Sequence, residues 1–415
     1  MKILNDLLIN YKFIKLYRLL TTLKFYKSAL RTYLVRDYKI GKFEKAGIEN
    51  IVTEKRILEE AQEREVCIPE YIGVSEQKIK KFCTGKVYCG VIEEATIVGA
   101  TSCIFQGKKC LNDIFVEQDE RLDVSYGPIM FDYGDSVVAR FHETDKTIDY
   151  AIDLVGSAPE NYYHVTVELL SRLNYVQNQE EYKNWPLIVD EAIFKIPQLK
   201  QVLEKINDTG RKVISIKDGE CCLVKRLLYI SRSCWMPMNV KDRETTKEAD
   251  FAISELHLRS IRKKMLAEIE TAPKLERKVF ISRRNSVNPR LVNEPEVKEF
   301  FAKNGFEIAY PEEMTFEEQV KFFSEVKCMV AATGAAMTNV LYCPEGAVIG
   351  CIVPSEFRFY LYSTMAYLLN QKPIFLSADI TKKTLWPAMD RFVLEIKYCE
   401  KFINKIASGE KDEIY

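Results

Sequence analysis

The chain has 415 residues, and its 60 Lys plus Arg balance 60 Asp plus Glu; the zero formal charge argues against a nucleic-acid binder, which carries a basic excess or stripe. Hydrophobic residues make up 47% of it, with no low-complexity tract or internal repeat, so packed globular structure is expected. The length exceeds one typical core and predicts two domains of roughly 150 to 200 residues. Twelve cysteines raise the question of disulfides or zinc, but none falls in a CxxC pair and only three histidines accompany them. They read as small core residues of a reducing compartment.

In chain order, apolar and basic residues first recur at helical spacing to about Tyr33, with Lys12, Lys15 and Arg18 among Phe13, Ile14, Leu16, Leu19 and Leu20. Residues 1–45 are therefore predicted as an amphipathic helical segment. No apolar run there is long enough to span a bilayer, and no small-residue cleavage site follows. The spacing permits an interfacial helix at the inner face of the plasma membrane; packing on its own domain or a partner is the favoured reading, and a cytoplasmic location is expected.

From about Val66 to Val138 the chain is rich in short β-type runs, including Lys86 to Cys89, Ala95 to Val98 and Asp113 to Val116. An alternation follows: a helix from Asn161 to Val176, a strand from Pro186 to Val189, a helix from Gln198 to Ile206, a strand from Lys212 to Ile216, and the run Cys222 to Ile230. These place a β-rich part and an α/β half in one domain, 46–245. Polar Pro237 to Ala249 and a helix from about Phe251 to Glu268 mark the join to a second domain, 246–385. There the predicted order is strand Lys278 to Ser282, a helix from Asn293 with Pro295 in its first turn and Gly305 past its end, and strand Phe306 to Tyr310. A capping box, Thr315 with Glu318, then opens a helix to Phe323, and strand Cys328 to Ala332 runs into Thr333-Gly334. Strands separated by helices imply a parallel sheet. A helix from Phe357 to Leu369, a strand from Pro373 to Leu376 and a final helix from Phe392 to Ile406 complete the chain, with 386–415 expected to return to the first domain.

Ligands of such sheets sit beyond the carboxyl ends of the strands, where a helix N-terminus offers unpaired N–H groups and partial positive charge. The loop Ala331-Ala332-Thr333-Gly334-Ala335-Ala336-Met337-Thr338-Asn339 allows close backbone approach, and Arg283 points a permanent charge to the same place. That suits a phosphate-bearing ligand, although an ordinary tight turn with solvated arginines is an equal reading of the loop alone.

The string Ser157-Ala158-Pro159-Glu160-Asn161-Tyr162-Tyr163-His164, followed by Glu168-Leu169-Leu170 and Arg172-Leu173, resembles the N-terminal signature of the family 61 glycosyltransferases. Further motifs follow in order: Ile281-Ser282-Arg283, Arg290, Asn293-Glu294, Gly305-Phe306-Glu307, Pro311-Glu312, Phe316 and Gln319, the Gly334 loop, and Pro344-Glu345-Gly346. The resemblance covers about residues 60 to 380. It implies a GT-B-like α/β fold, two Rossmann-like domains facing a cleft, and inverting transfer from a nucleotide sugar, with 46–245 on the acceptor side and 246–385 binding the donor. The family usually has a histidine where Thr333 stands. A hydroxyl there can donate to a phosphate oxygen but cannot shuttle a proton near neutral pH.

Inverting transfer requires a base for the acceptor hydroxyl and groups that stabilise the departing diphosphate. His164 is the leading base candidate, and Glu168, one turn later, either orients the ring or is itself the base. A histidine beside two tyrosines also often completes a hydrogen-bond network. His257 is expected on a helix surface and His142 in a turn. For the donor, Arg283 leads, with Ser282, Gly334, Ala335, Thr333, Thr338 and Asn339 supplying short contacts, Arg290 reinforcing, and Glu294 and Glu312 facing a sugar, ribose or base. A cap or turn contact is the alternative reading for Asn339, and a favourable charge in the first turn of a helix is an equal reading for Glu294. No Asp-x-Asp motif follows a strand, and Asp132 with Asp135 reads as turn chemistry, so no cofactor and no metal are expected. The expected donor is a UDP-sugar and the acceptor a capsular, lipopolysaccharide or other surface glycan, a lipid-linked one included. A sugar-nucleotide epimerase and a non-catalytic nucleotide-sugar sensor or scaffold are the competing readings.

Overall fold

The computed structural model describes residues 39–115, 121–142, 144–234, 236, 239–240, 246–267, 269, 275–283, 290–384 and 387–412. Its contacts divide the described residues into two units, one within 39–62 and 83–240, the other within 63–82 and 246–412. Among the described residues no helix is long and apolar enough to cross a membrane.

The N-terminal unit is built on an eleven-stranded mixed sheet. Its strands are β1 (Lys39–Ala46), β2 (Thr53–Glu59), β3 (Val87–Val98), β4 (Ile104–Gln106), β5 (Lys109–Leu111), β6 (Ile129–Tyr133), β7 (Ser136–Phe141), β8 (Thr147–Asp153), β9 (Leu187–Asp190), β10 (Val213–Ile216) and β11 (Cys221–Ile230). The order is β6-β7-β1-β5-β4-β3-β11-β8-β9-β10, with β2 on β3. The last four strands are parallel, and the rest are mainly antiparallel. Of the 1–45 segment, residues 39–45 therefore belong to a strand, where alternate residues pack Phe43 against Phe105 and Phe141. The remainder lies outside the described residues. The runs Lys86 to Cys89 and Ala95 to Val98, Lys86 apart, are parts of one strand, β3, paired with β11 along nearly its whole length. Asp113–Phe115 is a 3-10 turn rather than a strand, because the Asp113 carboxylate is drawn to the hydroxyls of Tyr88 and Tyr229.

The expected Asn161 to Val176 helix is not a regular α-helix: residues His164–Leu169 are π-helical and Leu170–Tyr175 are 3-10. The first α-helix among the described residues, α1 (Pro197–Ile206), joins β9 to β10 and buries Leu199, Val202, Leu203 and Ile206, the stripe its 3.6-residue period dictates.

In the C-terminal unit α2 (Glu255–Leu266) begins at Ser254, whose hydroxyl accepts the His257 N–H. His257 is 2% exposed, so the expected surface position is corrected: it lies on the apolar stripe of α2 with Leu258, Ile261 and Met265. Five parallel strands follow, β12 (Arg277–Ile281), β13 (Glu307–Ala309), β14 (Val326–Ala332), β15 (Val348–Pro354) and β16 (Lys372–Lys382), in the order β13-β12-β14-β15-β16. Counted from β12, that is the doubly wound order 2-1-3-4-5. A short antiparallel strand, β17 (Arg391–Val393), extends β16. Helices α3 (Glu294–Lys303), α4 (Phe316–Phe323) and α5 (Leu361–Leu368) form the crossovers.

Two assignments of chain to domain change. Residues 63–82 belong with the C-terminal unit: Glu70–Tyr71 adds a parallel strand to β16, and Cys67 exchanges hydrogen bonds with Ser363 and Thr364. The last helix, α6 (Ile396–Asp412), does not return to the first domain. It buries Cys399, Phe402 and Ile406 in the same core as α3, with Phe402 against Phe301 and Gly350.

Candidate active site

The carboxyl ends of β12 and β14 form the switch point of the doubly wound sheet, the place where such sheets open a crevice for ligands. Arg283 leaves the end of β12 and its guanidinium lies across Gly334, which leaves the end of β14; a Cβ on Gly334 would stand 2.2 Å from Arg283 Nη2. Gly334 also holds φ at +149°, so neither the space nor the backbone suits a side chain. Arg290 joins the same cluster by donating from Nη1 to the Thr333 carbonyl at 3.1 Å. Burial pushes the Arg290 guanidinium down to about 10, and the neighbouring charge of Arg283 pushes in the same direction. Two cations thus converge without an ion pair to a carboxylate among the described residues. Such a pair is unfavourable alone and favourable around an anion.

The other predicted donor residues divide by position. Ser282 Oγ donates to Glu294 at 2.6 Å, and the Arg283 N–H donates to the same oxygen at 3.2 Å, so Glu294 clamps the strand end that carries Arg283. The Thr333 hydroxyl lies against the Cys351 thiol in the interior, and its carbonyl is what reaches Arg290. Thr338 and Asn339 are buried; Thr338 meets the hydroxyl of Tyr362, and Asn339 Nδ2 donates to the Ala336 carbonyl at 2.9 Å, a contact inside its own turn. Ala335 is half-exposed at the loop. Glu312 is exposed in the 3-10 turn after β13, on the same edge of the sheet. The helix expected after the loop is a seven-residue 3-10 element, Ala335–Leu341, too short for a strong dipole. Close backbone approach is what the loop offers.

His164 and Glu168 form the second constellation. His164 Nδ1 and Glu168 Oε2 are 2.5 Å apart, and Glu168 Oε1 accepts the Met236 N–H at 2.7 Å. Asn161 Oδ1 accepts the N–H groups of Tyr163 and His164, capping the turn, and the Tyr163 ring stands edge-on to the imidazole. The π-helical winding sets this pair at the start of a non-standard turn, a form often kept at functional sites. Just before it, Ala158 holds φ at +56°, a strained value for a residue with a side chain. Arg172, from the same resembling string, is a fastener: it donates to the carbonyls of Leu169, Ile230 and Val155 and pairs with Asp153 at 3.7 Å.

Sequence reasoning missed Tyr362, whose buried hydroxyl sits beside Thr338 and feels both arginines, and Asp190, which binds two backbone N–H groups from distant loops. Neither lies in a motif. Their partners are distant in sequence, so no local signal marks them. Among the described residues no group of three or more His, Cys, Asp and Glu side chains is gathered as metal ligands would be.

The C-terminal unit thus carries an arginine pair on a glycine loop at the switch point of its sheet, and the N-terminal unit an imidazole and carboxylate pair. Residues 162–350 match the family model described as Glycosyltransferase 61. The protein is a glycosyltransferase, and the matched span contains every residue named for catalysis or donor binding. No curated protein matches the chain.

Proposed function

We propose that the chain is an inverting glycosyltransferase that moves a sugar from a nucleotide sugar, a UDP-sugar first among the candidates, to a hydroxyl of a cell-surface glycan such as capsule or lipopolysaccharide. The observation that carries this reading is the convergence of Arg283 and Arg290 on the Gly334 loop at the switch point. A leaving nucleoside diphosphate gains negative charge as the anomeric bond breaks, and fixed guanidiniums stabilise it without reorganising. His164 and Glu168 supply the base for the acceptor hydroxyl. A GT-B-like division of labour, with donor binding by the C-terminal unit, is supported by the doubly wound order of its sheet. The two arginines take the role a divalent cation would have, so turnover is expected to survive a chelator.

A thermal-shift screen against UDP-, GDP-, CMP- and dTDP-sugars, followed by transfer assays, tests the reading. One nucleotide class is expected to stabilise the protein, and Arg283→Ala to weaken that binding at least tenfold. Absence of any shift, or an Arg283→Ala variant that binds as tightly as its parent, refutes the donor site. Turnover lost to a chelator and restored by manganese or magnesium refutes the metal-free mechanism.

A further inference from the structure

We infer that Cys103 and Cys110 are a modification site, a paired dithiol that a small peroxide converts reversibly into a disulfide. The site is separate from the proposed transfer chemistry and does not depend on it. Both cysteines are free thiols in the β4–β5 hairpin.

Phe105 pairs with Cys110 and Ile104 with Leu111 across the turn at Gly107, so Cys103 stands one step beyond the last pair and diagonal to Cys110. Alternate residues of a strand share a face, and strand twist brings diagonal neighbours on that face within reach of each other. The two thiols accordingly hydrogen-bond each other. Asn112 Nδ2 donates to Cys103 Sγ at 3.6 Å, and the Cys103 N–H donates to Thr101 Oγ1 at 3.2 Å, so the residue is held at its backbone and at its sulfur. Phe105, Ile129, Val137 and Ala139 close the core around the pair.

The pair is asymmetric. The hydrogen bond from Cys110, helped by Asn112 and the charge of Arg232, holds the Cys103 thiol below its ordinary range against burial, whereas the bond to Cys103 and burial push Cys110 well above its own. Cys103 is therefore the nucleophile and Cys110 the resolving thiol. Access divides them in the same way. Cys103 lines a cavity of the N-terminal unit with Thr101, Ser102 and Asn112, and Cys110 does not reach it. Cys103 is only 2% exposed, which admits a molecule little larger than water and excludes a bulky disulfide such as oxidised glutathione. Hydrogen peroxide meets that limit.

In the reaction the Cys103 thiolate attacks one peroxide oxygen, the O–O bond breaks, and the departing hydroxide takes up the proton the thiol released, leaving a sulfenic acid and water. Cys110 then attacks the Cys103 sulfur, the S–O bond breaks, and the oxygen leaves as water with the Cys110 proton. Two thiols lose two electrons and peroxide gains them. A dithiol reductant reverses the change.

Exposure alone ranks the thiols the other way, because Cys83 is exposed and would oxidise first. Peroxide treatment of the reduced full chain, followed by denaturing alkylation and tryptic mass spectrometry, is the test. Trypsin cuts at Lys108 and Lys109, between the two cysteines, so a disulfide keeps their peptides joined, and fragment ions separate Cys103 from Cys89 on the same peptide. The joined pair is expected to form at least tenfold faster than Cys83 loses its thiol, and dithiothreitol to release it. Cys103 and Cys110 still alkylated after Cys83 has reacted, or Cys103 joined instead to Cys221 of the same core, overturns the assignment. Oxidised glutathione at the same concentration is expected to leave the pair reduced; equal rates with the two oxidants overturn the access through the cavity. In Cys110→Ser, Cys103 is expected to stop at a sulfenic acid that dimedone traps, and in Cys103→Ser, Cys110 to stay reduced, with near-UV circular dichroism checking that both variants are folded. A Cys110→Ser variant that dimedone does not label overturns the order of attack, and the joined peptides of the parent decide the assignment even where a variant fails to fold.

Discussion

Gly334 concentrates the demands of the proposed donor site in one residue. It has no room for a Cβ against Arg283 Nη2 and holds a φ of +149°. Gly334→Ala is expected to displace the Arg283 guanidinium and to add strain of about 1 to 3 kcal/mol. Nucleotide affinity should fall tenfold or more in calorimetry, with a smaller change in melting temperature; unchanged affinity would show that Arg283 is not held for a ligand. Asp190 is the counterpart in the N-terminal unit. Its carboxyl is 1% exposed, and burial pushes it up to about 7 against the pull of two backbone N–H groups. Because the folded value lies above the ordinary one, the folded chain holds that proton more tightly, and stability is lost as pH rises from about 4 through 7. The loss amounts to at most about 4 kcal/mol from a three-unit shift. Urea midpoints for the parent should decline across that window, and Asp190→Asn should flatten the decline whatever its absolute stability. The motif arginine was legible in the sequence, but neither the Arg290 bond to Thr333 nor the buried Asp190 was, since both depend on pairings that only the folded chain makes.

At the scale of elements, legibility followed locality. Helix α4 was readable from Thr315 and Glu318 alone, and the structure has both halves of that capping box, with Thr315 Oγ1 accepting the Glu318 N–H at 3.2 Å and Glu318 accepting the Thr315 N–H at 2.8 Å. Thr315→Ala should therefore cost about 1 kcal/mol, read from denaturant midpoints. An unchanged midpoint would mean that packing of Phe316, Val320 and Phe323 holds the helix without its cap. The α3 boundaries were equally local, with Pro295 in the first turn and Gly305 at φ +78° just past the end. The π-helical turn at His164 was not legible: an extra residue per turn shifts an apolar pattern too little to notice over six residues. Nor was the union of two apparent strands into β3, where Gly90 and the charged Glu93 and Glu94 suggested a break that pairing with β11 overrides.

For the whole molecule, sequence order misled where distant segments pair. The 63–82 stretch was grouped with its neighbours, yet its hydrogen bonds to β16, Ser363 and Thr364 place it in the C-terminal unit. The final helix was misplaced for the same reason: the stripe of Cys399, Phe402 and Ile406 says that a partner face exists but not which sheet supplies it. Each unit has its own buried core, one around Phe280, Phe301 and Phe402, the other around Ile92, Ile97 and Leu227. Separate cores make ligand stabilisation a local quantity. A nucleoside diphosphate present at a hundred times its dissociation constant should stabilise the unit that binds it by about 2.7 kcal/mol. Hydrogen exchange on the full chain is then expected to slow at 277–283 and 326–341, and in 63–82 with them, because that segment unfolds with the sheet it extends. Exchange in 147–153 and 221–230 should stay as it was. Protection confined to the latter two stretches would put the nucleotide in the wrong unit and refute the division of labour, whereas protection of 277–283 without 63–82 would show that the early segment opens independently of β16.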